Sequence, residues 1–361
     1  MHLMKTFILS LLVIPNIAFA AVKLPLEKLK LPKGFSISIF AEVPHARSMA
    51  QSEDGRIFVG TRESDKVYVI QDGKVQVFAE GLSVPNGVAF KDGKLYVAEI
   101  PRIYEFNVPA KVTRPLKPAR ILAQTFPSDG HHGWKFIRFG PDGKLYVPVG
   151  ANCNVCETGT EYGRIYRIDV NGTSKEVIAE GVRNTVGFDW DPLTKDFWFT
   201  DNGRDMLGDD MPPDELNHLT KVGQHFGFPY CHGKDIKDPE FGKNKDCAKY
   251  TPPVVELRAH VASLGMRFYT GAMFPKEYQN SVILAEHGSW NRSIPQGYRL
   301  TFVQLQNGQP IKVEGFVEGW LQNDEAWGRP VDVEVLRDGS LLVSDDKAGV
   351  IYRITYNPQG K

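Results

Sequence analysis

The string "GVAFKDGKLYVAE" at 87–99 returns, little changed, as "FIRFGPDGKLYVPVG" at 136–150. The same plan of apolar strand, tight turn and second apolar strand recurs along the chain. It is written as "SMAQSEDGRIFVG", "GFDWDPLTKDFWFTD", "RFYTGAMFPKEYQNSVILAEHG" and "DVEVLRDGSLLVSDD". A fixed internal repeat restricts a fold more than any composition does, because each unit must bury its apolar face against a copy of itself. A third strand follows five of the six hairpins, as "KVYVI", "RIYEF", "RIYRI", "YRLTF" and "VIYRI"; the fourth unit offers only "DELNHL" there. Short alternating strands with little helical periodicity predict an all-β chain, and six units of roughly 40 to 85 residues predict a six-bladed β-propeller of four-stranded antiparallel blades rather than a sandwich.

The stretch "GFPYCHGKDIKDPEFGKNKDCAKYTPP", between about 221 and 260, leaves the repeat and reads as a long loop excursion stapled by Cys231–Cys247. The other cysteines, Cys153 and Cys156, form the simplest remaining pair. "CNVCE" lacks the His of a haem attachment motif, and a four-Cys zinc site would need distant pairs to meet. The N-terminus, "MHLMKTFILSLLVIPNIAFA", has the charge, short apolar run and Ala18-Phe19-Ala20 ending of a cleaved signal peptide over 1–20. The expected mature chain is therefore one propeller domain, 21–361, in the periplasm or secreted. Its 43 basic residues balance 43 acidic ones, so no net field favours nucleic acid or anionic lipid, and no later segment is long and apolar enough to span a bilayer. The expected partner is a small molecule.

In such a ring each inner strand starts on one face, and the loops between second and third strands return to it. The residues just before the inner strands then place Arg47, Asn86, His132, Arg183, His260 and Arg329 around one channel mouth. The loops "GANCNVCETG", "DNGRDMLGDDMPPDELN", "AEHGSWNRSIPQG" and "SDDKAG" share that rim. His, Arg and Asn concentrated there suit a bound polyanion with a base beside it. The acids Asp201, Asp205, Asp209, Asp210, Asp214 and Glu215 offer hard oxygen ligands, without EF-hand order. Trp134 and Trp190 read as packing aromatics, Trp290 as a rim residue and His287 as a secondary candidate.

The strings "HHGWKFIRFGPDGKLYVPVGANCNVCE", "GVRNTVGFDWDPLTKDFWFTDNGRDMLGDDMPPDELN", "HVASLGMRFYTG", "AEHGSWNRS" and "GRPVDV" resemble the L-sorbosone dehydrogenase branch of the soluble quinoprotein glucose/aldose sugar dehydrogenases. The likeness covers nearly the whole mature chain. It implies a periplasmic propeller oxidising an aldose at its C1 hydroxyl, or a sugar aldehyde, with pyrroloquinoline quinone (PQQ) lying on Ca2+ over the channel mouth. An external electron acceptor, whether quinone, cytochrome or dye, is implied with it.

By that resemblance His132 rather than His131 is the general base, and Arg183, paired with Asn184, contacts the quinone oxygen and a carboxylate. Asn202 precedes the calcium-binding turn, in which Gly203 and Arg204 give carbonyls, and Asp214 and Glu215 are its acidic pair. Arg329 reaches cofactor carboxylates, while Asn291 and Arg292 cover the cationic place of the fifth blade. Two departures, Ala151-Asn152 in place of an Asp and Val186 in place of a Gln, argue against glucose itself. The alternatives are a calcium-dependent lactonase, whose ion needs Glu, Asn and Asp converging from several blades, and a non-catalytic propeller that binds glycan or protein.

Overall fold

The structure, a computed structural model, describes residues 23–359. The expected leader at 1–20 lies outside them. Six blades succeed one another, with inner strands Ala46–Gln51, Gly87–Lys91, Arg138–Phe139, Gly187–Trp190, Ser263–Phe268 and Pro330–Val335. Every hairpin read from the repeat is an antiparallel pair of first and second strands, and "DELNHL" lies within the third strand of blade 4, Pro213–Leu219. No helix among the described residues is long and apolar enough to cross a membrane.

The two "DGKLYV" copies turn differently. In blade 2, Lys91 pairs with Lys94 across Asp92-Gly93, both at positive φ (51° and 72°), the two-residue turn whose twist matches that of its strands. In blade 3 a Pro precedes the Asp-Gly, only Gly143 is left-handed, and Phe139 pairs with Leu145 across a wider loop. The scaffold tolerates either, because the turn lies on the rim away from the chemistry.

The core lies mainly between blades. Phe58, Phe78, Leu95 and Phe106 pack between blades 1 and 2; Phe136, Tyr146, Phe188 and Phe197 between 3 and 4; Trp198, Met266 and Leu284 between 4 and 5. A small cluster of Val186, Leu264 and Val331, with Trp134 against it, sits where inner strands begin. At the other end of those strands a buried ion cluster occupies the channel. Arg138 meets Asp189 (3.5 Å) and Glu334 (3.0 Å), and Arg267 meets Glu334 (2.9 Å) and Asp332 (3.6 Å).

Two elements depart from the reading of the repeat. The excursion at 221–260 is not loop throughout. Gln224–His225 adds a parallel strand to blade 3, Cys231–His232 and Ile236–Lys237 form a hairpin, and Val255–Ala259 is the outer strand of blade 4. Cys231–Cys247 staples this segment and Cys153–Cys156 closes the other bridge, as paired by proximity in sequence. The second departure is the strand Phe35–Glu42, which runs antiparallel to Val350–Tyr356 as the outermost strand of blade 6. The N-terminal segment thereby completes the last blade.

Candidate active site

Acids at the ends of second strands fix the segments that approach the channel mouth. In blade 4, Asp201 accepts hydrogen bonds from the backbone N–H of Arg183 (2.7 Å) and Asn184 (2.6 Å). In blade 6, Asp345 accepts from Arg329 N (2.9 Å), and in blade 2, Glu99 accepts from Ser83 N (2.8 Å). Each acid satisfies N–H groups that the turn would leave orphaned and burial would make costly. The side chains of those segments are thereby held towards the channel.

A cavity of about 290 Å³ opens at this mouth. Arg47, His132, Arg183, His260 and Arg329 line it, as the strand starts predict. Asn86 lies beneath instead, holding Arg47 Nε (3.0 Å) and donating to Lys135 O (2.9 Å). Asn184, Asn202, Gly203, Asp214 and Asn291 also reach the lining; Arg204, Glu215 and Arg292 do not. Arg204 turns away to a buried pair with Asp238 (2.5 Å), and Arg292 bonds to the Asp209 carbonyl and to Asp210 (3.2 Å). Trp134, read as packing, lines the cavity, as does the exposed Trp290, whereas Trp190 packs on Tyr146, Phe188 and Phe197.

His132 is buried, with Nδ1 2.8 Å from the carbonyl of Ala151. A carbonyl can only accept, so Nδ1 carries the proton and Nε2 keeps its lone pair. Burial, then the positive charge of Arg183, pushes the imidazole pKa down to about 2. The ring is therefore a neutral base, poised at the cavity. His131 is exposed. Gly150 gives His132 its room: a Cβ there would come within 2.6 Å of His132 Cβ.

Arg183 is held from three sides. Its Nε donates to Asn154 O (2.8 Å), Nη2 to Asn154 Oδ1 (2.9 Å) and Asp205 Oδ2 (3.0 Å), and Nη1 to Asn202 O (3.2 Å). Asn154 sits inside the Cys153–Cys156 ring, so the disulfide braces the acceptor that orients this arginine. Four of the five guanidinium protons are used, and one on Nη1 is left for a ligand.

The cavity is electrically divided. Around blades 6 and 1 stand Arg329, Arg47 and Arg62; Arg62 lies 4.0 Å from the ring centroid of Trp134 and has no salt-bridge partner among the described residues. Burial, then repulsion by Arg47, lowers its pKa. Asp346 offsets part of this charge, bonded to Arg47 (2.9 Å) and to His287 Nε2 (2.8 Å). His287 is pushed down to about 4 by burial, which outweighs its carboxylate partner. This side fits a ligand with several carboxylates. Arg62 was missed in the sequence, although "GTRESD" follows the second strand of blade 1 and so shares the rim by the same rule.

The acidic pair does not form a side-chain metal cage. Asp214 gives Oδ1 to Gly203 N (2.9 Å) and Oδ2 to Ser263 N (2.9 Å), while Glu215 gives its oxygens to Gly233 N (2.8 Å) and Asn217 Nδ2 (3.0 Å). Burial raises them to about 7 and about 8. Among the described residues no group of three or more His, Cys, Asp or Glu could hold a metal ion. Of the four expected calcium ligands, Gly203 and Asp214 face the cavity, and each Asp214 oxygen already accepts one backbone N–H.

A family model described as glucose/sorbosone dehydrogenase matches residues 102–353. An uncharacterized protein of Borreliella burgdorferi is 36% identical over 365 residues, covering 97% of this chain and 96% of its own length. Among solved structures, a Trichoderma reesei carbohydrate-active enzyme of family AA12 superposes with a TM-score of 0.78 at 18% identity, over 94% of this chain and 100% of that one. The holo form of the pyranose dehydrogenase PQQ domain of Coprinopsis cinerea gives 0.74 at 16%, over 91% and 97%. The PQQ-bound aldose sugar dehydrogenase of Streptomyces coelicolor gives 0.65 at 18%, over 91% and 100%. At these identities the structures share the fold.

Proposed function

Because the chain belongs to the glucose/sorbosone dehydrogenase family, we propose that it is a PQQ-dependent dehydrogenase of an aldose, at its C1 hydroxyl, or of a sorbosone-type sugar aldehyde. The observation that carries this reading is a neutral, oriented imidazole at His132 in a cavity whose other wall has more cationic than anionic side chains. When bound, PQQ supplies the ortho-quinone that accepts a hydride.

Arg62, Arg47 and Arg329 hold the cofactor carboxylates by charge and by their planar donors. Arg183 presents its remaining Nη1 proton where negative charge develops, preset by Asn154 and Asp205 so that it need not reorganise. His132 Nε2 accepts the proton of the substrate hydroxyl, or of one hydroxyl of a hydrated aldehyde, as the hydrogen on the same carbon leaves with the C–H electron pair. The product is a lactone from the aldose, or an acid from the aldehyde. The electron pair passes on to an external quinone, cytochrome or dye. The backbone carbonyls of Gly203 and Arg204 would hold Ca2+, which would supply Lewis-acid polarisation of the quinone. The leader pattern at 1–20 supports a periplasmic or secreted enzyme.

The test is the purified chain with PQQ, with and without Ca2+, a redox dye, and a panel of aldoses and sugar aldehydes. Dye reduction by at least one sugar is expected, and Arg62→Ala should raise the dissociation constant of PQQ roughly tenfold. A chain that neither binds PQQ nor reduces dye would sink the proposal. The lactonase reading is less favoured because the family model that matches is that of a dehydrogenase.

A further inference from the structure

Across the cavity from the arginines, His260, Asn291 and Asp205 stand together. His260 is 5% exposed, and its Nε2 lies 2.9 Å from the carbonyl of Gly208. That carbonyl requires a donor, so the proton is on Nε2 and Nδ1 is bare. Nδ1 is buried and has no hydrogen-bond partner; Asp205 Oδ1 stands 4.0 Å away, beyond hydrogen-bond reach, and is itself an acceptor. Asn291 repeats the arrangement: its Nδ2 donates to Asp205 Oδ1 (2.9 Å), leaving Oδ1 buried and unpaired. Two orphaned acceptors and a carboxylate oxygen thus share this wall; Arg292 is drawn off to Asp210, and Arg183, bonded to Asp205 Oδ2 (3.0 Å), borders it.

Such a wall repels carboxylates and calls for hydroxyl donors, since each buried acceptor left unpaired is a standing cost that an O–H relieves. We infer that His260 Nδ1, with Asn291 Oδ1 beside it, is a specificity subsite that accepts hydrogen bonds from hydroxyls of a polyhydroxylated substrate away from its reacting carbon. The inference rests on the dehydrogenase reading for the identity of that substrate. It assigns a division of labour, with the anionic cofactor against blades 6 and 1 and the polyol against blades 4 and 5.

Two conservative variants separate reading a hydroxyl from holding a loop. His260→Gln keeps an amide N–H for the Gly208 carbonyl and removes the bare nitrogen; His260→Asn returns an acceptor near the position of Nδ1. In dye reduction, wild type should prefer a sugar over at least one of its single-deoxy analogues by roughly 10- to 100-fold in kcat/KM. The Gln variant should bring that ratio to within about threefold of unity, and the Asn variant should restore part of it. The same ratio in wild type and in the Gln variant for every analogue overturns the inference while leaving the enzyme reading intact. Sugar binding to the cofactor-free chain, followed by the fluorescence of Trp290, covers the opposite case. If no sugar reduces dye, the dehydrogenase reading fails, and binding that discriminates deoxy analogues only when Nδ1 is present still upholds the subsite. Absent or indiscriminate binding overturns both.

Discussion

Replacing His132 with Asn isolates what burial does to this imidazole. The residue has φ of 49°, a region in which Asn is among the most tolerated residues, and an Asn amide can donate to the Ala151 carbonyl as Nδ1 does. The variant therefore keeps the turn and its hydrogen bond and loses only the titratable ring. In wild type the folded pKa is about 2, against an unfolded value near 6.5. Because the folded value is depressed, below pH 6.5 the unfolded chain binds a proton that the native chain refuses. Stability falls as the pH drops from 6.5 towards 2, and this group costs nothing above that window. Between pH 8 and pH 5 the unfolded chain gains about 1.5 units of protonation advantage at about 1.4 kcal/mol each, so His132 alone removes about 2 kcal/mol. For a chain of this length that is about 3 °C in the thermal midpoint.

The assay is thermal and urea unfolding of cofactor-free wild type and His132→Asn at both pH values. His287 and the buried carboxylates contribute equally to both proteins and cancel. The variant should lose about 2 kcal/mol less than wild type on acidification, while its turnover falls by roughly 10²- to 10⁴-fold. Equal acid losses in the two proteins would mean that the folded imidazole takes up protons near neutrality, and the neutral-base argument would fail whatever the turnover.

Gly150→Ala places a Cβ 2.6 Å from His132 Cβ and 3.2 Å from Arg183 O; turnover should fall at least about tenfold, and wild-type kinetics would show that the turn yields freely. Asn154→Ala removes the acceptor for Arg183 Nη2 and for Asp205 N (2.9 Å). Its kcat/KM should drop roughly tenfold with only a few degrees lost in thermal midpoint, and the KM-to-kcat split shows whether Arg183 acts in binding or in turnover. Cys231→Ser/Cys247→Ser opens a bridge between residues 16 apart; about 3 kcal/mol of stability should go, whereas an unchanged urea midpoint would mean that the hairpin and strands hold the segment alone.

The hairpins were legible because each carries its own alternation and turn, and the site residues at strand starts were legible because ring topology sends them to one mouth. Phe35–Glu42 was not. "FSISIFAE" alternates like any edge strand, and nothing local says that its partner is Val350–Tyr356, over three hundred residues away. The Val255–Ala259 strand was masked in a similar way by the Gly/Pro-rich stretch before it. In the site, the acids of the 201–215 segment look alike in sequence. Only the fold separates Asp201 and Asp214, which pin backbone N–H groups, from Asp205, which orders Arg183 and Asn291. Whether a carboxylate is spent or free depends on N–H groups brought from other blades, which spacing does not encode.

The strand exchange in blade 6 reaches into the cavity. The junction it completes between the last blade and the first is crossed by Asp332 accepting from Met49 N (2.9 Å) and by Asp346 gripping Arg47 (2.9 Å), and the same Asp346 holds His287. Arg47, one of the three arginines of that wall, is therefore held by a joint that exists only once both ends of the polypeptide have met. A chain that has not yet reached the last blade lacks Asp332 and Asp346, and with them the ties that hold Met49 and Arg47 across the joint. The orientation of Arg47 at the cavity is thus settled only when the last blade closes on the first.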